Sequence, residues 1–341
     1  MNTPGSVWSN LPLSTGIAAL VCYAGVFNDV IGIEELASKL GVSGQDEFHA
    51  ALNELHRQAK LVLRDGFAGL PGLEDRIAIK ASQIAKAHQL IDSRLDVLQR
   101  LGRNPLIRFV GISGSLAAGN PTRDRNNRLD IDIFVITRRQ CLYLYKILSG
   151  LRNLFAPSRE EPELCINYVM DASNLMIPNR NFYTATEIRN LIPVSGLDAY
   201  GRFLQVNNWV AYYYPGALGG RAPVAATRSG NLVNQCLYLV YTMLQCVKWQ
   251  SLDPFRRFSI KTNPHIGFSA ELVGAPYGGY QALAQKKFSR LVETWFPGVF
   301  DPELIEKLFP DELSAEIRRG DIDLPTIIVD AGLGTDYSKY G

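Results

Sequence analysis

Three kinds of hydrophobic pattern follow one another along this chain. Over residues 1–73 the pattern predicts helix, helix, helix, hairpin. An apolar helix runs from Thr15 to Phe27, and a short one at Ile33–Leu40 is ended by the stretch Gly41 to Gly44. A third, Gln45 to Ala59, carries Phe48, Leu52 and Leu55 on one stripe. Lys60–Arg64 and Phe67–Leu70 then flank an Asp65-Gly66 pair, the signal of a tight β-hairpin. From Leu73 to about Gly102, Ile77, Ile84, Ile91, Leu95 and Leu98 recur at near-heptad spacing and predict one long helix. Period-two stretches at 106–111, 129–136 and 163–170 alternate with a turn bearing a short helix and with a helix over 138–155. That alternation predicts a small mixed sheet with helices on one face. Beyond Tyr183 strand signals vanish, and helices are expected at Ala185–Leu191, Gly196–Tyr213, Ser229–Gln250 and Tyr280–Trp295.

The candidate chemistry sits in the middle stretch. An apolar strand runs into the small-residue turn Ser113-Gly114-Ser115, with Gly119 shortly after. The next strand opens Leu129-Asp130-Ile131-Asp132, and alternation places both aspartates on one face. A Gly-Ser turn lets backbone and hydroxyl approach a phosphate, and two carboxylates on one face hold a hard cation. Gly114, Ser115, Asp130 and Asp132 in this order resemble the signature of the DNA polymerase β-like nucleotidyltransferase superfamily. The helix–helix–hairpin order before it is similar to the winged-helix modules of many bacterial regulators.

The resemblance implies a mixed α+β fold in several parts. These are a winged-helix-like module over 1–73, a connecting helix over 74–103, a nucleotidyltransferase core over 104–180, a helical domain over 181–330 and a loose tail over 331–341. It implies Mg²⁺ (or Mn²⁺) held by Asp130 and Asp132, which would also be the catalytic pair. An NTP, ATP foremost, would lie against Gly114 and Ser115, and a nucleotidyl group would pass to a small-molecule or protein acceptor with release of pyrophosphate. Arg128, nearest of three arginines in the 120–128 loop, and Lys261, in Phe258–His265, are candidates for the phosphates. The superfamily usually adds a third carboxylate from a later strand, and Asn167 stands at that place. An amide ligates Mg²⁺ weakly and accepts no proton. Glu163, about 13 Å away along an extended strand, is no substitute. Three readings stay open: an acceptor needing no base, a base from elsewhere, or a catalytically impaired nucleotide sensor whose N-terminal module binds a partner or DNA.

Composition narrows this picture. The 341 residues are 47% hydrophobic and 20% charged, with a net charge of +2, which gives no global attraction to nucleic acid or anionic membrane. The N-terminal 73 residues carry four bases against seven acids, net −3, and their would-be reading helix opens with Asp46 and Glu47. DNA binding is therefore disfavoured against packing, homo-oligomerisation or protein docking. The five cysteines are scattered and never in CxxC spacing, as expected of a reducing compartment without a zinc site. No base precedes the first apolar run, so no secretory signal is expected. Leu232–Val247, interrupted by Asn234 and two glutamines, falls short of a bilayer span. A cytoplasmic location without membrane contact is the expectation.

Overall fold

A computed structural model describes residues 5–42, 44–121, 129–155, 163–177, 179–215, 236–237, 239–241, 268–269, 272–274 and 277–310. The fold is mixed α+β. Three helices come first: α1 (Leu13–Val26), α2 (Ile33–Leu40) and α3 (Gln45–Arg57). Asp65 and Gly66 take positive φ, 51° and 80°, in the hairpin turn between β2 (Val62–Arg64) and β3 (Phe67–Gly69). That is the backbone of a type I′ turn. A two-residue strand β1 (Ile31–Gly32) adds to β3, so the hairpin becomes a three-stranded antiparallel sheet. Helix α4 (Glu74–Gly102) follows.

The second sheet has six strands in the order β7-β4-β5-β6-β9-β8. Its strands are β4 (Ile107–Ile112), β5 (Asp130–Thr137), β6 (Glu163–Asp171), β7 (Ile192–Ser195), β8 (Phe268–Ser269) and β9 (Leu272–Gly274). Only β5 and β6 run parallel, joined through α6 (Leu142–Phe155); every other pair is antiparallel. The expectation of no strands beyond Tyr183 does not hold: β7 and β8 at the two sheet edges, and β9 between β6 and β8, are short segments whose two to four residues leave no readable period. Pro193 lies in β7, on the sheet edge where a missing N–H costs no ladder bond. Helices α7 (Phe182–Asn190), α8 (Leu197–Val206), α9 (Tyr277–Trp295) and α10 (Pro302–Leu308) complete the described elements, with a 3-10 turn at Asn208–Tyr212. The helix expected at Ser229–Gln250 falls mostly outside the described residues, as does the tail over 331–341.

Both faces of this sheet are covered, rather than one. Ile131, Ile133 and Val135 of β5 pack with Val110, Ile112 and Val169 against Ala87 and Leu98 of α4 and Leu142 and Tyr143 of α6. Phe134 and Ile136 face the other way, into a core that also holds Phe109, Tyr168, Met170, most of α1 and apolar residues of α7 and α9. Helix α1 is buried nearly all round, Ile17 to Tyr23 without interruption. Gly25 lets the helix approach Leu70, because a Cβ there would meet the Leu70 side chain at 2.6 Å. One apolar core therefore runs from the N-terminal helices through the sheet to α10.

Phe182 is the hub of that core. Its ring lies 5.0–6.3 Å from those of Trp8, Tyr23, Tyr213, Tyr214, Phe288 and Phe309, most of them in edge or tilted contact. Phe182→Ala is expected to cost about 3–5 kcal/mol in urea denaturation, within a single transition. An unchanged urea midpoint would contradict the packing.

Candidate functional site

Asp132 belongs to the same face of β5 as Phe134 and Ile136, but it lies at the lip of the core rather than within it. Its backbone carbonyl accepts from Ser113 N–H at 2.9 Å, which fastens the turn after β4 to β5. The chain then passes through Gly114 at φ +70°, and a Cβ on Gly114 would run into the Asp132 carboxylate. The position thus demands glycine twice, for its backbone angle and for the space the carboxylate fills. A one-turn helix α5 (Gly114–Ala117) follows, and Asn120 N–H closes the turn on Ser115 O at 2.9 Å. The Ser113 hydroxyl is buried and finds no hydrogen-bond partner among the described residues.

A third acid reaches this place from a helix. Asn181 caps α7, its side-chain oxygen accepting from Thr184 N–H at 2.9 Å, and Thr186 bonds both Phe182 O and the Tyr214 hydroxyl. That anchorage turns Glu187, half-buried, toward the turn, where it accepts from Gly114 N–H and faces Asp132. Desolvation first, and the Asp132 charge second, push the Glu187 carboxyl up to about 7; the Gly114 N–H and the Lys39 ammonium pull it back. Lys39, from α2, is itself buried, paired with Glu35 at 2.8 Å and set over the Tyr214 ring. The N-terminal helices therefore contribute charge to a site on the sheet.

The remaining candidates separate. Asp130 opens β5 opposite Glu163 in the ladder, and its side chain lies outside the described residues, as do Arg128 and Lys261 altogether. Asn167 is the extra residue of a β-bulge: Ile133 pairs with Ile166 and Phe134 with Tyr168, so Asn167 pairs with neither. The residue opposite Asp132 is the exposed Cys165. Asp171 is fully buried and structural, accepting from the N–H groups of Cys141 and Leu142 at the start of α6 and of Ser173 just after β6. Asn207 and Tyr213, from the aromatic stretch after α8, bond backbone within the core.

Comparisons with protein-family models, curated proteins and solved structures give no match, so the family resemblance stands on the residues alone. Among the described residues no helix is long and apolar enough to cross a membrane, and no group of three His, Cys, Asp or Glu is gathered to hold a metal. Asp132 and Glu187 nevertheless fit a hard dication: both are oxygen donors, and their mutual repulsion is what a cation between them relieves. Sequence reasoning missed Glu187, because a lone acid in a short helix carries no motif. It also missed Lys80, although that lysine sits three residues after Ile77 and four before Ile84, in the apolar stripe of α4.

Two outcomes follow from this geometry. Gly114→Ala should cost at least about 1 kcal/mol from the left-handed backbone alone, and more as Asp132 is displaced, read by thermal melting. Because the folded Glu187 carboxyl lies near 7 against an ordinary 4.5, the native state holds the extra proton between those values. Its contribution is full below pH 4.5 and lost as pH rises through 7, a decline on the order of 3 kcal/mol. Urea titrations in chelator from pH 4 to 8 should show this slope in the wild type and its loss in Glu187→Gln.

Proposed function

We propose that this protein is a Mg²⁺-dependent nucleotidyltransferase of the polymerase β-like kind, moving an NMP from an NTP, ATP foremost, to a small-molecule or protein acceptor. One observation carries the reading: the Gly114 turn lies directly against the Asp132 carboxylate on adjacent strands, with Glu187 closing the group. In the reaction an acceptor oxygen bonds to the α-phosphorus, the bond from that phosphorus to the pyrophosphate oxygen breaks, and the acceptor oxygen gives up its proton if it carries one. Asp132, Glu187 and the neighbouring Asp130 would hold the metal, which supplies neutralisation of phosphate charge. Ser115 and the Ser113 hydroxyl, which finds no partner among the described residues, would donate to phosphate oxygens. Gly114 acts by leaving room, since its N–H is engaged by Glu187. On this reading the third carboxylate comes from α7 instead of from the strand position that Asn167 occupies.

DNA is disfavoured as the partner of the N-terminal helices. Asp46 and Glu47 are exposed in the first turn of α3, while Phe48, Leu52 and Leu55 bury its other side.

The test is incubation of wild type, Asp132→Asn and Glu187→Gln with each α-labelled NTP, Mg²⁺ and cell extract. Pyrophosphate release and label transfer are expected from the wild type, with a fall of about 100-fold or more in each variant, because metal-held charge stabilisation is worth several kcal/mol. Equal release from all three proteins would sink the enzyme reading. NTP binding without turnover would point to the sensor instead.

A further inference from the structure

Lys80 is a buried lysine in the middle of an apolar helix face, and all three of its N–H donors are spoken for. Its ammonium meets Asp29 Oδ2 at 2.6 Å, Gly119 O at 3.3 Å and Ala118 O at 3.5 Å. Asp29 spends its other oxygen on Val30 N–H at 2.8 Å, just before β1. Burial raises the Asp29 carboxyl, and the Lys80 ammonium only partly offsets this. One turn further along α4, Ile84 packs against Gly119, which has φ +66°.

A buried ion pair is a poor source of stability, because desolvating two charges cancels most of their attraction and apolar replacements are often as stable. What this pair does that two apolar side chains would not is grip two backbone carbonyls. Those carbonyls end the turn that begins at Gly114 and Ser115. We propose that Lys80 is a positioning residue: backed by Asp29, it clamps the Ala118–Gly119 end of the turn and so fixes where Gly114 and Ser115 stand relative to Asp132. For catalysis this rests on the nucleotidyl-transfer reading; as a statement about the turn it does not.

The test uses the full chain. Lys80→Met alone strands a buried carboxylate, so the informative variant is Asp29→Asn/Lys80→Met, which removes both charges and keeps the acceptor for Val30. It should match the wild-type urea midpoint, yet exchange the amides of 116–120 about tenfold faster and raise KM for ATP more than it lowers kcat. Wild-type exchange and wild-type KM in the double variant would overturn the clamp. If the double variant does not fold, Lys80→Arg, which presses a larger head against the same carbonyls, is read in its place. Faster exchange confined to 116–120 supports the clamp, and no change there overturns it. If the wild type turns over no nucleotide, the nucleotidyl-transfer reading falls, and exchange at 116–120 alone decides the clamp.

Discussion

The alternation of side chains along β5 is the constraint around which this molecule is arranged. Ile131, Ile133 and Val135 must go to the side of α4 and α6, so Asp132 must share its side with Phe134 and Ile136. That places a carboxylate at the margin of the larger apolar core. Water is partly excluded there, and the charge is tolerated only because its neighbours are chosen for it. Gly114 leaves open the space its side chain would fill, Glu187 holds a proton more readily beside Asp132, and Lys39 sets opposite charge near Glu187. Each of the three comes from a different element, α5, α7 and α2.

The same constraint explains why the N-terminal helices cannot be understood as a separate attachment. Two of their residues, Lys39 and Asp29, direct charge at the turn or at its support, one through Glu187 and one through Lys80. Their apolar faces meanwhile merge with those of α7, α9 and α10. Lys39 of α2 and Asp29 before β1 thus form part of the wall around Gly114, Asp132 and Glu187, while Asp46 and Glu47 lie exposed on the outer side of α3.

Much of this was legible from pattern. Helix α2 begins and ends where the apolar spacing and Gly41 placed it, and the stripe Phe48, Leu52, Leu55 is the buried side of α3. The Asp65-Gly66 hairpin and the strands bearing Gly114 and Asp132 were readable because long periodic runs and turn chemistry are local properties. What escaped was non-local. The resemblance set Asn167 at the third-carboxylate place, whereas the register pairs Asp132 with Cys165 and leaves Asn167 as the extra residue of a bulge, which no local spacing encodes. Strands β7 to β9 are too short to carry a period, and only their pairing in the six-stranded sheet defines them. Glu187 acquires its role only when α7 packs across the turn, which no spacing within residues 182–190 encodes.

Helix α1 also has a consequence for how the protein is made. Its surface from Ile17 to Tyr23 is buried partly by α2, α3 and the hairpin and partly by residues that come much later, including Phe182, Ala284, Phe288 and Val292. A chain emerging from the ribosome at roughly 5–20 residues per second therefore holds this helix uncovered for on the order of tens of seconds. The early hairpin and α3 can shield only one side of it meanwhile. A helix buried in the finished fold is thus left open on one side to aggregation and to chaperones during synthesis, until the later helices arrive.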